Sequence, residues 1–240
     1  ITFSLDNKYI FYSKLDENHR PRKIFRHKIG TYTKEDELIF EEKSEAFTVG
    51  ITLSSDDKFF FINTSDHNTS EQYYFNVNEK KPIPKLIKER QRGILYSVNS
   101  WDGKFYNHTN ENAEDFKIDI TDNIENPKWK SFIAPKEEVL IGGLTFLKNW
   151  IIRSETSNAL EKLFVRNMTT KKEEELIFSD ETVYVPGASL MQKDRNTDNI
   201  FLGYSSPKTQ SRVYSYNLIT KKKKLVKEQI VPSGHNPDDY

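Results

Sequence analysis

Serine, histidine and acidic side chains are the groups of this sequence that could carry out chemistry, so their spacing is considered first. A serine hydrolase nucleophile needs a strained Gly-x-Ser-x-Gly turn between a strand and a helix. The nearest approach is Gly-Ala-Ser-Leu-Met at residues 187–191, which lacks the second glycine and falls on a predicted inner strand. Ser189 is therefore not predicted to be a nucleophile, and the chain is predicted to lack a catalytic triad.

The histidines and cysteines offer no metal site either. The chain has five histidines and no cysteine, so disulfides and cysteine-ligated zinc or iron–sulfur centres are excluded. No pair of histidines has the i,i+4 or HExxH spacing of a helical zinc site. Two of them, His67 and His108, are predicted to lie in loops, where a surface hydrogen bond is their simplest role; the others are His19, His27 and His235. We predict no catalytic, metal-binding or cofactor-binding residue.

Composition narrows the class of partner. Lys and Arg number 36 and Asp and Glu also number 36, so no net charge favours nucleic acid or an anionic membrane. No apolar run approaches the roughly 18 residues that a membrane-spanning helix needs, and no secretory signal is visible. We expect no nucleic-acid or membrane partner and a cytoplasmic location.

Two further motifs have simple interpretations. The lysine run at residues 221–224 is predicted to be a solvated hairpin between two strands rather than a binding patch. Four Asn-x-Ser/Thr sequons are expected by chance in a chain rich in Asn and Thr, and without a secretory signal they do not predict glycosylation; they begin at Asn63, Asn68, Asn107 and Asn167.

The elements that carry these residues come from a repeat. Ser-Leu-Asp-Asn-Lys-Tyr at residues 4–9 returns as Ser-Ser-Asp-Asp-Lys-Phe at 54–59 and as Ser-Trp-Asp-Gly-Lys-Phe at 100–105. Asp, Asn and Gly favour tight turns, and the aromatic run after each lysine is typical of a new strand. Each copy continues into an alternating third strand and a short fourth strand, and two degenerate copies complete the chain.

Units of four strands at this period are typical of propeller blades. The predicted fold is all-β: a β-propeller of four-stranded antiparallel blades, with about five blades at residues 1–45, 46–92, 93–138, 139–182 and 183–230. The inner strands, near residues 48–52, 95–99, 141–145 and 183–189, are predicted to line a central channel. The outer strands are predicted to carry Leu38, Leu86, Phe132, Ile177 and Leu225.

Both ends of the chain look cut. The first copy begins most of the way through its inner strand, and residues 231–240, rich in Pro, Gly and Asp, resemble an exit linker. We expect that further blades and a further domain lie outside this chain.

A family resemblance is carried by short stretches in a particular order. They are Ser-Asp-His-Asn-Thr-Ser-Glu at 65–71, Tyr-Ser-Val at 96–98, Phe-Tyr-Asn-His-Thr-Asn at 105–110, Asp-Phe-Lys at 115–117, Gly-Tyr-Ser-Ser-Pro at 203–207, Val-Tyr-Ser-Tyr at 213–216 and the linker at 231–240. Together they resemble the propeller of the oligopeptidase B family, within the prolyl oligopeptidase group of serine peptidases. The resemblance implies a seven-bladed propeller that caps an α/β-hydrolase domain, with residues 237–240 at the junction.

Two functional classes remain open. In the first, the chain is the non-catalytic propeller segment of a serine oligopeptidase that cleaves short peptides after Lys or Arg, and it gates access to a hydrolase domain of the same protein. Its partners are then that hydrolase domain and short peptides. In the second, the chain is a free-standing propeller that serves as a protein-interaction scaffold. Continuation of the coding sequence into a hydrolase would decide between them.

Overall fold

The computed structural model describes residues 1–191, 193–236 and 239, and its regular structure consists of strands and one short 3-10 helix, Thr33–Glu35. None of the helical structure in these ranges is long and apolar enough to cross a membrane. Of the predicted junction at residues 237–240, Pro237, Asp238 and Tyr240 lie outside the described residues. The chain divides into two compact units, Ile1–Pro135 and Lys136–Tyr240.

The first unit contains three four-stranded antiparallel sheets, and in each the strands follow chain order from one edge to the other. Sheet 1 comprises β1 (Thr2–Phe3), β2 (Tyr9–Leu15), β3 (Pro21–Lys28) and β4 (Glu37–Glu41). Sheet 2 comprises β5 (Thr48–Leu53), β6 (Phe59–Ser65), β7 (Ser70–Asn76) and β8 (Lys85–Lys88). Sheet 3 comprises β9 (Tyr96–Trp101), β10 (Lys104–Thr109), β11 (Lys117–Thr121) and β12 (Lys130–Ile133).

The second unit contains two sheets with the same strand order. Sheet 4 comprises β13 (Leu140–Leu147), β14 (Trp150–Ser157), β15 (Leu160–Asn167) and β16 (Glu173–Glu175). Sheet 5 comprises β17 (Val185–Leu190), β18 (Asn199–Ser205), β19 (Arg212–Asn217) and β20 (Lys223–Glu228). The prediction of an all-β chain built from four-stranded antiparallel units is confirmed.

The repeated serine closes the first turn of two sheets. The Ser54 hydroxyl donates to Asp56 Oδ1 over 2.8 Å and accepts from the Phe59 amide over 3.0 Å, while Asp57 adopts a left-handed φ of 57°. Ser4, Asp6 and Tyr9 repeat these two contacts at 2.7 and 2.9 Å. The Ser-x-Asp pattern is therefore a side-chain-closed turn, as local hydrogen bonding by Ser and Asp predicts.

The third copy of the motif folds differently. Trp101 pairs directly with Lys104, so Asp102 and Gly103 form a two-residue hairpin turn with φ values of 51° and 72°. Ser100, freed from its own turn, donates to Asp56 Oδ2 of the neighbouring sheet over 2.8 Å. The third serine thus joins sheets 2 and 3 instead of closing a turn.

Within each unit, apolar side chains fill the spaces between consecutive sheets. Phe11 and Ile24 of sheet 1 pack against a cluster of sheet 2 side chains; these are Val49, Ile51, Phe60, Ile62 and Phe75. Sheets 2 and 3 share a second cluster that includes Phe61, Tyr74 and Val98. Sheets 4 and 5 share a third, which includes Ile152, Leu163, Ile200 and Leu202. Burial of one face against the next sheet is the arrangement that blade-like sheets require.

One predicted strand position is wrong, and two predicted inner strands begin later than expected; the one predicted at residues 183–189 begins at Val185. Ile177 was predicted on an outer strand, but that strand is Glu173–Glu175; Leu176 and Phe178 turn inward and are buried, which leaves Ile177 exposed. The inner strand predicted at residues 95–99 begins later, at Tyr96, because the Leu95 amide donates to Asn110 Oδ1. Leu38, Leu86, Phe132 and Leu225 lie on fourth strands, as predicted.

Gly142 is required by a close approach within sheet 4. A Cβ atom there would lie 2.1 Å from Ser154 Oγ and 3.0 Å from the Ser154 carbonyl oxygen, whereas a Cβ on Gly143 would meet nothing within 4 Å. We expect Gly142→Ala to lower the free energy of unfolding by about 1–3 kcal/mol, because overpacking forces the backbone apart. Gly143→Ala is the matched control and should change it little. Equal urea midpoints for the two variants would contradict this account.

Candidate functional site

Ser189 lies within a regular strand rather than at a nucleophile turn. It is on β17, where its register partner is Phe201, and the adjacent pair is Gly187 with Gly203. Ser189 is thus not at a strand-to-helix turn, the position that a hydrolase nucleophile occupies. Within the described ranges, no group of three or more His, Cys, Asp or Glu side chains could hold a metal ion.

One histidine belongs to a hydrogen-bonded group that the sequence did not reveal. His27 Nδ1 lies 2.7 Å from Asp36 Oδ1, and the Tyr12 hydroxyl donates to Asp36 Oδ2 over 2.6 Å. The hydrogen bond from Tyr12, together with the one from His27, lowers the pKa of Asp36. Burial and the Asp36 carboxylate raise the pKa of Tyr12 to about 12. Tyr12 is therefore a protonated donor at neutral pH, and the group fastens the segment before β4 to β2 and β3.

The remaining histidines lie in other strands, turns, bends and loops. His108 lies within β10, not in a loop as predicted, and stacks on Phe116 with ring centroids 4.6 Å apart. His235 Nε2 lies 2.8 Å from the Lys208 carbonyl oxygen. His67 lies in the bend between β6 and β7, and His19 has a left-handed φ of 58° in the turn before β3.

One sequon asparagine is buried, and the lysine run lies at a strand hairpin. Asn107 is buried within β10, so its side chain is inaccessible to a glycosyltransferase in the folded chain. Lys221 and Lys222 lie in the turn before β20, whereas Lys223 and Lys224 begin that strand. The predicted hairpin is therefore confirmed, with its second half inside the strand.

The turn that holds Lys221 is a second repeat that went unnoticed in the sequence. Asn217 Oδ1 accepts from the amides of Ile219 and Thr220, and Asn167 Oδ1 accepts from those of Thr169 and Thr170. The signal in the sequence is Asn-x-x-Thr-Lys-Lys, at residues 167–172 and 217–222, with a related Asn-Val-Asn-Glu-Lys-Lys at 76–81. These turns link third and fourth strands and set the lysines in equivalent positions.

The first strands of the sheets carry short, uncharged side chains that could contact a peptide. Each lies at an edge of its sheet, and β5, β9, β13 and β17 each expose a small, uncharged residue to solvent. These residues are Thr52, Ser97, Gly143 and Ser189. Apart from the exposed Leu140 and Val185, such edges present backbone groups and short, uncharged side chains. Each edge could therefore contact an extended peptide without selecting it by charge.

A buried ion cluster joins sheets 1 and 2, where residues that follow their fourth strands meet β7. Arg90 donates to Glu71 Oε2 and to Glu42 Oε2, both over 2.7 Å, and its guanidinium lies 4.1 Å from the centre of the Phe47 ring. The side chains of Glu42 and Glu71 are only 4% and 7% exposed. Burial raises the pKa of Glu71, but hydrogen bonds from Arg90 outweigh it, so the net pKa is lowered. Both carboxylates therefore depend on one arginine.

A second buried cluster lies within sheet 4. Arg153 donates to Glu155 over 2.7 Å and to Glu173 over 2.9 Å, and Lys136 also donates to Glu155 over 2.6 Å. The Arg153 guanidinium stacks on Phe164 at 4.9 Å. Because Glu155 has two cationic partners, this cluster depends less on a single residue than the Arg90 cluster does.

Comparison with known proteins assigns this architecture to a family. A sequence profile described as "Prolyl oligopeptidase, N-terminal beta-propeller domain" matches residues 1–229. Protease 2 of Moraxella lacunata is 30% identical over 93% of the chain, and dipeptidyl aminopeptidase BI of Pseudoxanthomonas mexicana is 27% identical over all of it. The chain covers 32% and 33% of these two proteins, about a third of their length.

Solved structures share the fold. Oligopeptidase B from Trypanosoma brucei, in a closed form with covalently bound antipain, superposes with a TM-score of 0.88 at 23% identity over 96% of this chain. Oligopeptidase B from Leishmania major superposes with a TM-score of 0.89 at 18% identity over 99% of it. The chain matches 34% and 35% of those two structures, respectively.

Proposed function

Because the chain belongs to the prolyl oligopeptidase N-terminal β-propeller domain family, we propose that it is the non-catalytic propeller portion of a serine oligopeptidase resembling oligopeptidase B. In this role it gates access to a hydrolase domain of the same protein, which cleaves short peptides after Lys or Arg. The family match carries the proposal, and the small, uncharged residues exposed on the first strand of four sheets support it.

The position of Ser189 supports assigning bond cleavage to the hydrolase domain and gating to the propeller. A triad needs a nucleophile within hydrogen-bond reach of a base, whereas Ser189 lies within a strand opposite Phe201. The hydrolase domain would supply bond cleavage. The propeller would line a channel with its first strands, exclude folded proteins by size and keep the reacting groups away from bulk water. Residues 231–240 would lead into the hydrolase domain, and the protein would act in the cytoplasm.

Catalysis provides the first test of this division. We expect the purified 240-residue chain to leave arginyl and lysyl amide reporters uncleaved, because it supplies no nucleophile. The longer protein that joins the chain to a hydrolase domain should cleave them. Activity of the chain alone that survives repurification and is lost in Ser189→Ala would overturn the proposal, with Ser205→Ala on β18 as the control for nonspecific effects of the substitution.

A free-standing scaffold is the alternative function. Propellers without enzymatic partners present surfaces to other proteins. The coding sequence beyond residue 240 separates the two functions: a hydrolase domain with a Gly-x-Ser-x-Gly turn supports the peptidase proposal, and a stop codon in its place supports the scaffold.

A further inference from the structure

Two cavities occupy equivalent positions in the two units. The first, of about 460 Å³, lies between sheets 1 and 2, and the second, of about 470 Å³, lies between sheets 4 and 5. We call them notch 1 and notch 2. Strand register establishes their equivalence: Tyr9 and Trp150 each begin the second strand of a sheet, and the residue before each accepts an amide hydrogen bond from the turn after the third strand.

Notch 1 contains a guanidinium group supplied by its own sheet. The Arg26 guanidinium lies 4.6 Å from the centre of the Tyr9 ring. It donates to Glu37 Oε2 over 2.5 Å and to the Lys80 carbonyl oxygen over 2.9 Å, and the side chain is only 6% exposed. An aromatic face, a carboxylate and a turn carbonyl oxygen surround this cation, while its buried Nε atom has no hydrogen-bond partner among the described residues.

Notch 2 repeats the surroundings of that guanidinium but not the group itself. Val165 takes the position of Arg26, because Val165 pairs with Glu174 as Arg26 pairs with Glu37. Trp150 takes the position of Tyr9, and Lys221 occupies the place of Lys80 in the repeated turn. Tryptophan is a better cation–π partner than tyrosine. The second notch thus presents an aromatic ring and a carboxylate around a short aliphatic side chain.

The charges in notch 2 permit an incoming cation. Its lining includes Lys172 and Lys221 together with Glu174 and Asp198, so the formal charges balance. Lys221 pairs with Glu174 over 2.8 Å, but both side chains are largely exposed, at 60% and 44%. An exposed pair of this kind contributes little stability, so a guanidinium can replace the lysine at Glu174 at low cost and bind the carboxylate with two parallel hydrogen bonds.

We propose that notch 2 binds the arginine side chain of a peptide, with its guanidinium stacked on Trp150 and paired with Glu174. The site would hold a peptide between sheets 4 and 5. It is inferred from the internal repeat alone, and binding to it involves no peptidase activity. A failure of arginine binding at notch 2 would therefore not contradict the proposed peptidase function. A failure of the peptidase function would likewise not contradict binding at notch 2.

The test is a titration of the 240-residue chain, followed by nuclear magnetic resonance of the indole N–H groups. The chain has three tryptophans, and Trp150→Phe identifies the resonance of Trp150. The ligands are acetyl-Ala-Arg-Ala-amide, its citrulline counterpart, which is neutral but similar in shape, its lysine counterpart, and methylguanidinium. We expect the arginine peptide to shift the Trp150 resonance and to bind at least about tenfold more tightly than the citrulline peptide, the difference that about 1.4 kcal/mol of cation–π and ionic interaction produces.

Variants of the chain make the test specific. Glu174→Gln should lower the affinity for the arginine peptide about tenfold. Glu175→Gln, on the same strand but outside the notch, should leave that affinity unchanged. Arg26→Val should open notch 1 and add a second binding event. Equal binding of the arginine and citrulline peptides, an unshifted Trp150 resonance, or an unchanged affinity in Glu174→Gln would overturn the proposal. Methylguanidinium binding as tightly as the arginine peptide would overturn the assignment to a peptide.

Discussion

Replacing Arg90 by methionine is expected to lower the free energy of unfolding by about 3–5 kcal/mol, because it leaves buried carboxylates without their cation. Arg90 is the shared partner of Glu42 and Glu71, whose side chains are 4% and 7% exposed. Methionine keeps much of the aliphatic packing against Phe47, so the loss reports on charge and not on volume. Urea unfolding followed by tryptophan fluorescence measures it.

Two controls separate the ion cluster from general damage. Arg92 is two residues further along and exposed, so Arg92→Met should change the unfolding free energy by no more than about 0.5 kcal/mol. Adding Glu42→Gln and Glu71→Gln to Arg90→Met removes the stranded charges and should recover most of the loss. A loss in Arg92→Met as large as that in Arg90→Met would contradict this account of the cluster.

The pH dependence gives a second signature of the same cluster. In the native chain the net pKa of Glu71 is lowered, so its contribution to stability is present above the unfolded pKa of about 4.3 and is lost as the pH falls through the lower folded value. Replacing the Arg90 side chain removes the ionic hydrogen bonds that oppose burial and leaves those from the Tyr73 hydroxyl and the residue 90 amide. The pKa of Glu71 is then expected to rise above its unfolded value. Acidification from neutral pH towards that unfolded value should then stabilise Arg90→Met relative to the native chain, and the reverse trend would be evidence against the cluster.

Local patterns predicted the sheets but not the contacts between them. The Ser-x-Asp repeat and the alternating aromatic segments were sufficient to predict four-stranded units, because turn chemistry and strand periodicity act over a few residues. The role of Ser100 was missed because the same sequence motif folds in two ways. Ser54 closes its own turn through Asp56, whereas Ser100, at a shorter hairpin, donates to Asp56 of the neighbouring sheet. Leu176 was placed on a strand because its pattern is apolar; its inward turn depends on packing against sheet 5.

The candidate sites depend on still longer contacts. Arg90 meets a carboxylate 48 residues earlier in the chain, and no short pattern specifies such a pair. Notch 2 could have been anticipated in part, because the Asn-x-x-Thr-Lys-Lys turns repeat visibly. That Val165 of sheet 4 stands where sheet 1 has Arg26 could be recognised only from strand register, which places the two residues in equivalent positions.

Gating predicts a large difference between substrates of different size. In the longer protein that joins this chain to a hydrolase domain, a short arginyl peptide should be cleaved with a kcat/KM at least about a hundredfold above that of a folded protein displaying the same sequence in an exposed loop, which corresponds to about 2.7 kcal/mol. Under the proposed gating, a channel lined by first strands would admit an extended chain but not a folded domain. Arg90→Met, which weakens the contact between sheets 1 and 2, should reduce the ratio of these two kcat/KM values.

The ratio of these two kcat/KM values in the native longer protein is the measurement that tests the central claim most directly. The propeller account predicts a strong preference for the short peptide, reduced in Arg90→Met and retained in Arg92→Met. Equal cleavage of the short peptide and of the exposed loop in the native protein would contradict it, because the propeller would then exclude nothing.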